Sequence, residues 1–258
     1  MEKKKGTVNN QSADKVFAII EYMASHGQMY RLKELAGALD MSPSTVLRFL
    51  YSLMNMGYVM QDETTQRYFL TFKICGLGQR VLENYDIAEL ALPFLKKLSK
   101  DSGESVCLAI EQNYFISYVS VIENEDNVLS SMLRVGTLAP MYCTGIGKLF
   151  LAQKSEEEID KAIEKYGGLL PYTKQTITER TQLTEELIKV RNQGYALDWE
   201  EREEFARCVA VPIWDYTGKV IAGISITGPA YRIDEEYIER YLPKLKEAAS
   251  QISRALGK

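Results

Sequence analysis

The sequence predicts an α+β chain: a helix-turn-helix with a two-stranded wing, then an antiparallel sheet with helices packed on it. Three observations carry this. Residues 31–59 read as a short helix, a break at Asp40-Met41-Ser42 and a second helix opened by Pro43. Two β-prone runs, 58–61 and 67–70, flank the polar turn 62–66. From Glu104 onward, strands, then helices, then strands follow one another with hairpin turns, the order of a segregated α+β architecture.

Residues 12–25 form the first helix, with Ser12 as its cap and Val16, Phe17, Ile20 and Met23 facing inward. His26 and Gly27 close it, since a late cation complements the helix dipole and Gly is the usual stop. His26 is the only histidine in the chain, and it is read as an end-of-helix residue rather than a catalytic one. In the next helix Leu32, Leu35, Ala36 and Leu39 make one stripe. Asp40 stands where many such turns carry Gly, and Asp tolerates a left-handed backbone better than most residues.

Ser42 caps the second helix, with Pro43 at its first position. Val46, Phe49, Leu50 and Leu53 recur at helical spacing, which leaves Ser44, Thr45, Arg48, Ser52 and Asn55 outside. That outer face suits the DNA major groove, where Arg grips guanine through two bonds and Ser or Thr takes donors or acceptors. The competing reading is a pair of ordinary core helices. Acidic Asp62 and Glu63 at the wing tip would repel phosphate, which leaves Arg67 as the backbone contact. The expected DNA-facing set is Ser42, Ser44, Thr45, Arg48, Ser52 and Arg67.

The net charge of −4 at first argues against nucleic acid. Residues 1–72, however, hold eight Lys and Arg against seven Asp and Glu, while the remainder holds 23 against 28. So nearly neutral a segment neutralises few phosphates, and specific binding should need two or more copies on one site. No apolar run approaches the roughly 20 residues of a membrane span, and the basic start has no apolar segment behind it, unlike a signal peptide. Cys75, Cys107, Cys143 and Cys208 form no CxxC and have no neighbouring His. That excludes a recognisable zinc or redox motif and fits a reducing cytoplasm. Neither a metal nor a cofactor is expected.

Residues 73–100 read as connection. Leu77, Val81 and Leu82 mark a linker helix and Ile87 to Ser99 a second, with Pro93 interrupting or starting it. Gly76-Leu77-Gly78 lacks the third glycine and the preceding strand of a dinucleotide loop. Strands follow at 105–110, 114–122 and 128–135, then helices at 145–152, 156–166 and 179–192, the last closed by Gly194. Strands return at 195–198, 208–214 and 220–227, and an amphipathic helix runs over 234–256.

The segments SPSTVLRFLYSL with the following wing, SGESVCLAI, RVG…MYCTGIGK, TITE, RNQGYALDWEE and ARCVAVPIWDYTGKVIAGISITGP, with the terminal helix, occur in this order. Together they resemble the IclR family of bacterial transcription regulators across essentially the whole chain. The resemblance implies a winged-helix DNA-binding domain over 1–72, linker helices over 73–100 and a GAF-like effector-binding and oligomerisation domain over 101–258. It also implies a cytoplasmic homodimer or homotetramer on double-stranded operator DNA, a repressor or activator controlled by a small metabolite.

At Thr144, a capped helix opening with Gly145, Ile146 and Gly147 would aim N–H groups and its dipole at an anion. A glycine turn needed only for close packing is the alternative. A Walker phosphate loop is rejected, because Tyr142 and Leu149 stand where it needs Gly and Ser or Thr. Asp198, Cys208, Ser225 and Thr227 fall at positions that line the effector pocket in similar proteins. Ser225 and Thr227 alternate along one strand and share a face. Either both meet a ligand carboxylate or hydroxyl, or both face solvent.

Cys208 has no histidine to activate it and reads as a small wall residue. Met132 and Leu133 are weaker candidates for an apolar wall. Ile146 is larger than the residues common at that family position, which points to a narrow pocket and a small ligand. The expected effector set is Met132, Gly145, Ile146, Asp198, Cys208, Ser225 and Thr227. No catalytic residue is assigned: Asp198 and Glu200 could act as acid and base, but no activated nucleophile, metal cluster or cofactor loop supports an enzyme. A C-terminal domain that only oligomerises is a third possibility.

Overall fold

The computed structural model describes residues 10–26, 29–83, 86–123 and 134–258. The chain divides into two units, Met1–Tyr85 and Asp86–Lys258. The first contains α1 (Gln11–His26), α2 (Leu32–Ala38), α3 (Pro43–Asn55), β1 (Val59–Gln61), β2 (Tyr68–Leu70) and α4 (Lys73–Glu83). Its core joins Ile19, Leu35, Val46, Leu50, Leu53 and Val59.

In α1 the buried line is Ile19 and Met23, and Phe17 is 62% exposed, contrary to the expected stripe. Two residues before Ile19, Phe17 lies on nearly the opposite side of the helix. Asn10, rather than Ser12, sits at the start, its Oδ1 accepting the Ser12 N–H at 3.2 Å. The His26 ring stacks on Tyr22 at 4.6 Å, a local end-of-helix contact. Asp40 adopts the left-handed backbone the turn requires, at φ 49°. β1 and β2 pair antiparallel as the wing hairpin, and a bridge between Tyr30 and Tyr68 ties the approach to α2 onto it.

The second unit runs α5 (Ile87–Ser102), β3 (Ser105–Gln112), β4 (Phe115–Ile122), β5 (Leu138–Pro140), α6 (Gly145–Leu151), α7 (Glu156–Tyr166) and α8 (Arg180–Gln193). It continues with β6 (Ala196–Trp199), β7 (Ala206–Trp214), β8 (Val220–Pro229) and α9 (Glu235–Ala255). Six strands form one antiparallel sheet in the order β5-β4-β3-β8-β7-β6. Of the strand expected at 128–135, residues 128–133 lie outside the described residues, Met132 and Leu133 with them. Arg134 and Val135 are not strand, and β5 takes the sheet edge. The stretch expected as connection forms α4 in the first unit and α5 in the second, with Pro93 inside α5, which packs on β3, β4 and α9.

Strand alternation gives the sheet two unlike faces. Val106, Leu108, Val209, Val211, Ile224 and Ile226 pack against α5 and α9. Cys107, Ala109 and Ala210 face α6, α7 and α8. The branched face makes an ordinary core, whereas the small-residue face lets α6 approach the strands closely. Among the described residues, no helix is long and apolar enough to cross a membrane.

Candidate functional site

In the first unit, α3 buries Val46, Phe49, Leu50 and Leu53 and turns Ser44, Arg48, Tyr51, Ser52 and Asn55 outward. Ser42 Oγ accepts the Thr45 N–H at 3.3 Å and lies 2.8 Å from Thr45 Oγ1 and 3.1 Å from Ser44 Oγ. Three hydroxyls therefore cluster at the opening of the helix, with Thr45 half-buried. Arg48 stands one turn beyond Ser44, its guanidinium 5.0 Å from the Phe49 ring centre. Tyr51 is 55% exposed on the same face. Sequence reading passed over it because an aromatic on an amphipathic helix is ordinarily core, although the spacing 44, 48, 51, 55 places it outside.

Arg67 Nη1 donates to the Met29 carbonyl at 2.9 Å and lies 3.7 Å from Glu34 Oε2. It braces the wing against the approach to α2, and Glu34 partly balances its charge before any phosphate arrives. At the wing tip, the Thr65 hydroxyl and N–H donate to Asp62 and hold its carboxyl below the usual range.

In the second unit, Ser105, Thr227, Cys208 and Asp198 are successive cross-strand partners on β3, β8, β7 and β6. The next row on the same face is Cys107, Ser225, Ala210 and Ala196. Both rows are small or polar where a buried sheet face is usually branched and apolar. Gly145 packs down on them so tightly that a Cβ there would lie 2.8 Å from Cys208 Sγ and 3.1 Å from Ala210 Cβ. Ile146 covers Gly223, whose Cβ would come within 2.7 Å of Ile146 Cγ2.

Between this floor and α6 lies a cavity of about 260 Å³, lined by Gly145, Ile146, Asp198, Cys208, Ser225 and Thr227 among others. The structure thus brings together the expected effector residues that are described, Met132 lying outside the described residues. Ser225 and Thr227 are 2% and 9% exposed, with hydroxyls 3.5 Å apart, so neither faces solvent. Thr144 holds the N-cap position of α6, but its hydroxyl donates to the Pro140 carbonyl at 3.1 Å instead of capping the helix. A Cβ on Gly147 would lie 2.3 Å from Met141 Cα. Close packing therefore accounts for both glycines without an anion.

Residues 12–63 match the IclR helix-turn-helix domain and residues 79–254 the C-terminal domain of bacterial transcriptional regulator IclR. The chain belongs to the IclR family. It is 37% identical over 243 residues to the HTH-type transcriptional regulator KdgR of Escherichia coli K12, covering 94% of this chain and 91% of that protein. To the HTH-type transcriptional repressor AllR of Salmonella typhi it is 31% identical over 251 residues, covering 96% and 90%. The crystal structure of the Thermotoga maritima IclR overlays with a TM-score of 0.62 at 34% identity, covering 96% of this chain and 99% of that one. The chain is thus an IclR-type DNA-binding transcription regulator with a C-terminal effector domain, not an enzyme.

The electrostatics of this IclR effector domain centre on Asp198. Its Oδ1 accepts the Glu201 N–H at 2.8 Å and the Arg202 N–H at 3.3 Å. Burial, helped by the Glu201 charge, nevertheless raises its carboxyl to about 7. Burial likewise pushes the Cys208 thiol far up, with Asp198 adding to the effect, which keeps the sulfur protonated and inert. Lys148 is wholly buried, bonded to Glu201, to Glu186 at 3.1 Å and to the Leu197 carbonyl at 2.9 Å. Burial alone would lower its ammonium, but Glu201 and Glu186 more than offset that and hold it above the usual lysine value.

Sequence reading missed Ser105, Tyr118 and Arg202 in the lining. Ser105 would have followed from pairing β3 with β8. Arg202 carried no local signal, because its place depends on how the β6–β7 connection folds back.

Proposed function

We propose that this regulator senses a small carboxylate-bearing metabolite in the cavity beneath α6, and that the ligand alters how two or more copies of α3 hold operator DNA. The observation that carries the reading is the buried polar floor. Buried Ser225 and Thr227, with half-buried Asp198, line a partly open cavity in which a hydroxylated or acidic ligand supplies hydrogen bonds that an apolar one does not. A space of about 260 Å³, narrowed by Ile146, suits a small molecule.

A ligand touching both α6 and the sheet ties two elements together. It changes operator affinity only through different affinities for the DNA-competent and incompetent states. In this reading residues 1–72 contact DNA, 73–100 connect, and 101–258 hold the effector and assemble the copies as a homodimer or homotetramer in the cytoplasm. A near-neutral reading segment with Arg48 as the arginine on its α3 face needs such multivalency.

The test begins with a panel of small organic and sugar acids screened for thermal stabilisation, since a ligand of the folded state raises its stability. Operator titrations with and without a stabilising acid then compare the wild type with a Ser225→Ala, Thr227→Val double variant. Effector-free operator affinity should be unchanged, and the acid concentration needed for a response should rise about tenfold or more. A normal response at the wild-type concentration would place the pocket elsewhere.

A further inference from the structure

We infer that Arg202 is the anion anchor of the α6 cavity, and that it selects short hydroxylated monocarboxylates by taking their single acid group. This rests on the effector reading of the cavity and deepens it by naming the ligand class and the residue that sets it. Arg202 lines the cavity. Its Nη1 is buried and, among the described residues, has no hydrogen-bond partner. A guanidinium is all donor, and leaving one of its N–H groups buried without an acceptor is costly. A ligand acid at the cavity wall supplies the charge partner that the described residues do not give this guanidinium.

The side chain is held ready before a ligand arrives. Its guanidinium carbon lies 3.9 Å from the Tyr172 ring centre, and its main-chain N–H is bound to Asp198. The connection that carries it is pinned by Thr173 and Thr176, whose hydroxyls donate to the Glu200 and Glu201 carbonyls at 2.6 Å each. An arginine fixed in this way loses little freedom on binding.

Neighbouring cations are already matched. Arg207 pairs with Glu200 at 2.9 Å, Arg232 donates to Glu104 at 3.0 Å, and Lys148 lies between Glu186 and Glu201. Among the described residues, no ion pair engages Arg202; Glu203 and Glu204 beside it are solvent-exposed. Asp198 lines the same cavity, with Ser225 and Thr227 on the floor. A second ligand carboxylate would meet Asp198, whereas hydroxyls would find acceptors and donors there. The geometry therefore favours one acid group with hydroxyls behind it.

The experiment uses the full chain and defined probes: D-glycerate and D-gluconate, their amides, and the dicarboxylate D-glucarate, with affinities from calorimetric titration. For the wild type, at least one monoacid should bind about tenfold or more tighter than its amide, and gluconate tighter than glucarate. Arg202→Gln should abolish the preference for acid over amide, and Arg202→Lys should restore part of it. Because the readout is a ratio within one variant, a general loss of stability does not mimic it.

A preference surviving in Arg202→Gln overturns the inference. If the Ser225→Ala, Thr227→Val variant loses acid binding in that case, the effector reading still stands. Binding that survives both changes removes the inference and the reading together. If no monoacid binds the wild type at millimolar concentration, the proposed ligand class is wrong and the inference falls.

Discussion

Gly145 and Cys208 meet where α6 lands on the sheet, and a Cβ on Gly145 would lie 2.8 Å from the Cys208 sulfur. The sulfur ends a short rotatable side chain and can yield by turning. Gly147 has no such neighbour, since its Cβ would strike the Met141 backbone at 2.3 Å. Gly145→Ala should therefore cost about 1–3 kcal/mol and Gly147→Ala more. Denaturant midpoints of the two variants check the order, and equal losses would show that the thiol cannot move aside.

Asp198→Asn should change the pH dependence of stability. The folded carboxyl sits near 7 against an ordinary 3.8, so the folded state holds its proton more tightly than the unfolded one. That contribution is fully present below about pH 4 and is lost as pH rises through 7. The amide keeps an oxygen for the Glu201 and Arg202 N–H groups but carries no charge. Measured from their difference at pH 5, the variant should gain on the wild type up to about pH 7 and hold that gain to pH 8. The gain is on the order of a few kcal/mol at most. Parallel melting temperatures of both proteins across pH 5–8 would contradict the burial of a titrating carboxyl here.

Lys148→Met should destabilise the second unit by about 3–5 kcal/mol, because it strands the Glu201 charge in the interior. Adding Glu201→Gln should recover part of the loss. Chemical unfolding of wild type, single and double variants makes the comparison, and a double variant worse than the single would mean that Glu201 does more than balance the lysine.

Arg48→Ala should lose about 1–3 kcal/mol per half-site and relax sequence preference, as expected of a base contact. Arg67→Ala should weaken binding evenly across sequences. Because Arg67 also holds the Met29 carbonyl, its loss should lower the melting temperature as well. Titrations on operator and scrambled duplexes separate the two effects. Untouched operator preference in Arg48→Ala would move the reading face off this side of α3.

Local pattern explains both what was legible and what was missed. The α2–α3 break, the Ser42 cap and the wing hairpin follow from spacing and from single-residue backbone preferences. The α1 stripe was placed one position off at Phe17, because Val16, Phe17 and Ile20 are all apolar and composition does not set the phase of the helix. Thr144 has the sequence of a cap, yet its hydroxyl bonds backward to Pro140, a choice made by the tight turn that brings α6 onto the sheet.

By itself the sequence determined most of the order of elements, though not the edge strand β5, together with the winged helix-turn-helix and the family, because periodicity, caps and ordered motifs are properties of neighbouring residues. Ser225 and Thr227 could be placed on a common face, but not on the buried one. Only the tertiary structure decided that, by pairing β3, β8, β7 and β6 so that Ser105, Thr227, Cys208 and Asp198 form one row beneath Gly145 and Ile146. It also decided which arginine enters the cavity wall with no carboxylate partner among the described residues. Register between distant strands and the path of a connecting loop are set by the packing of the whole domain, and no local spacing encodes them.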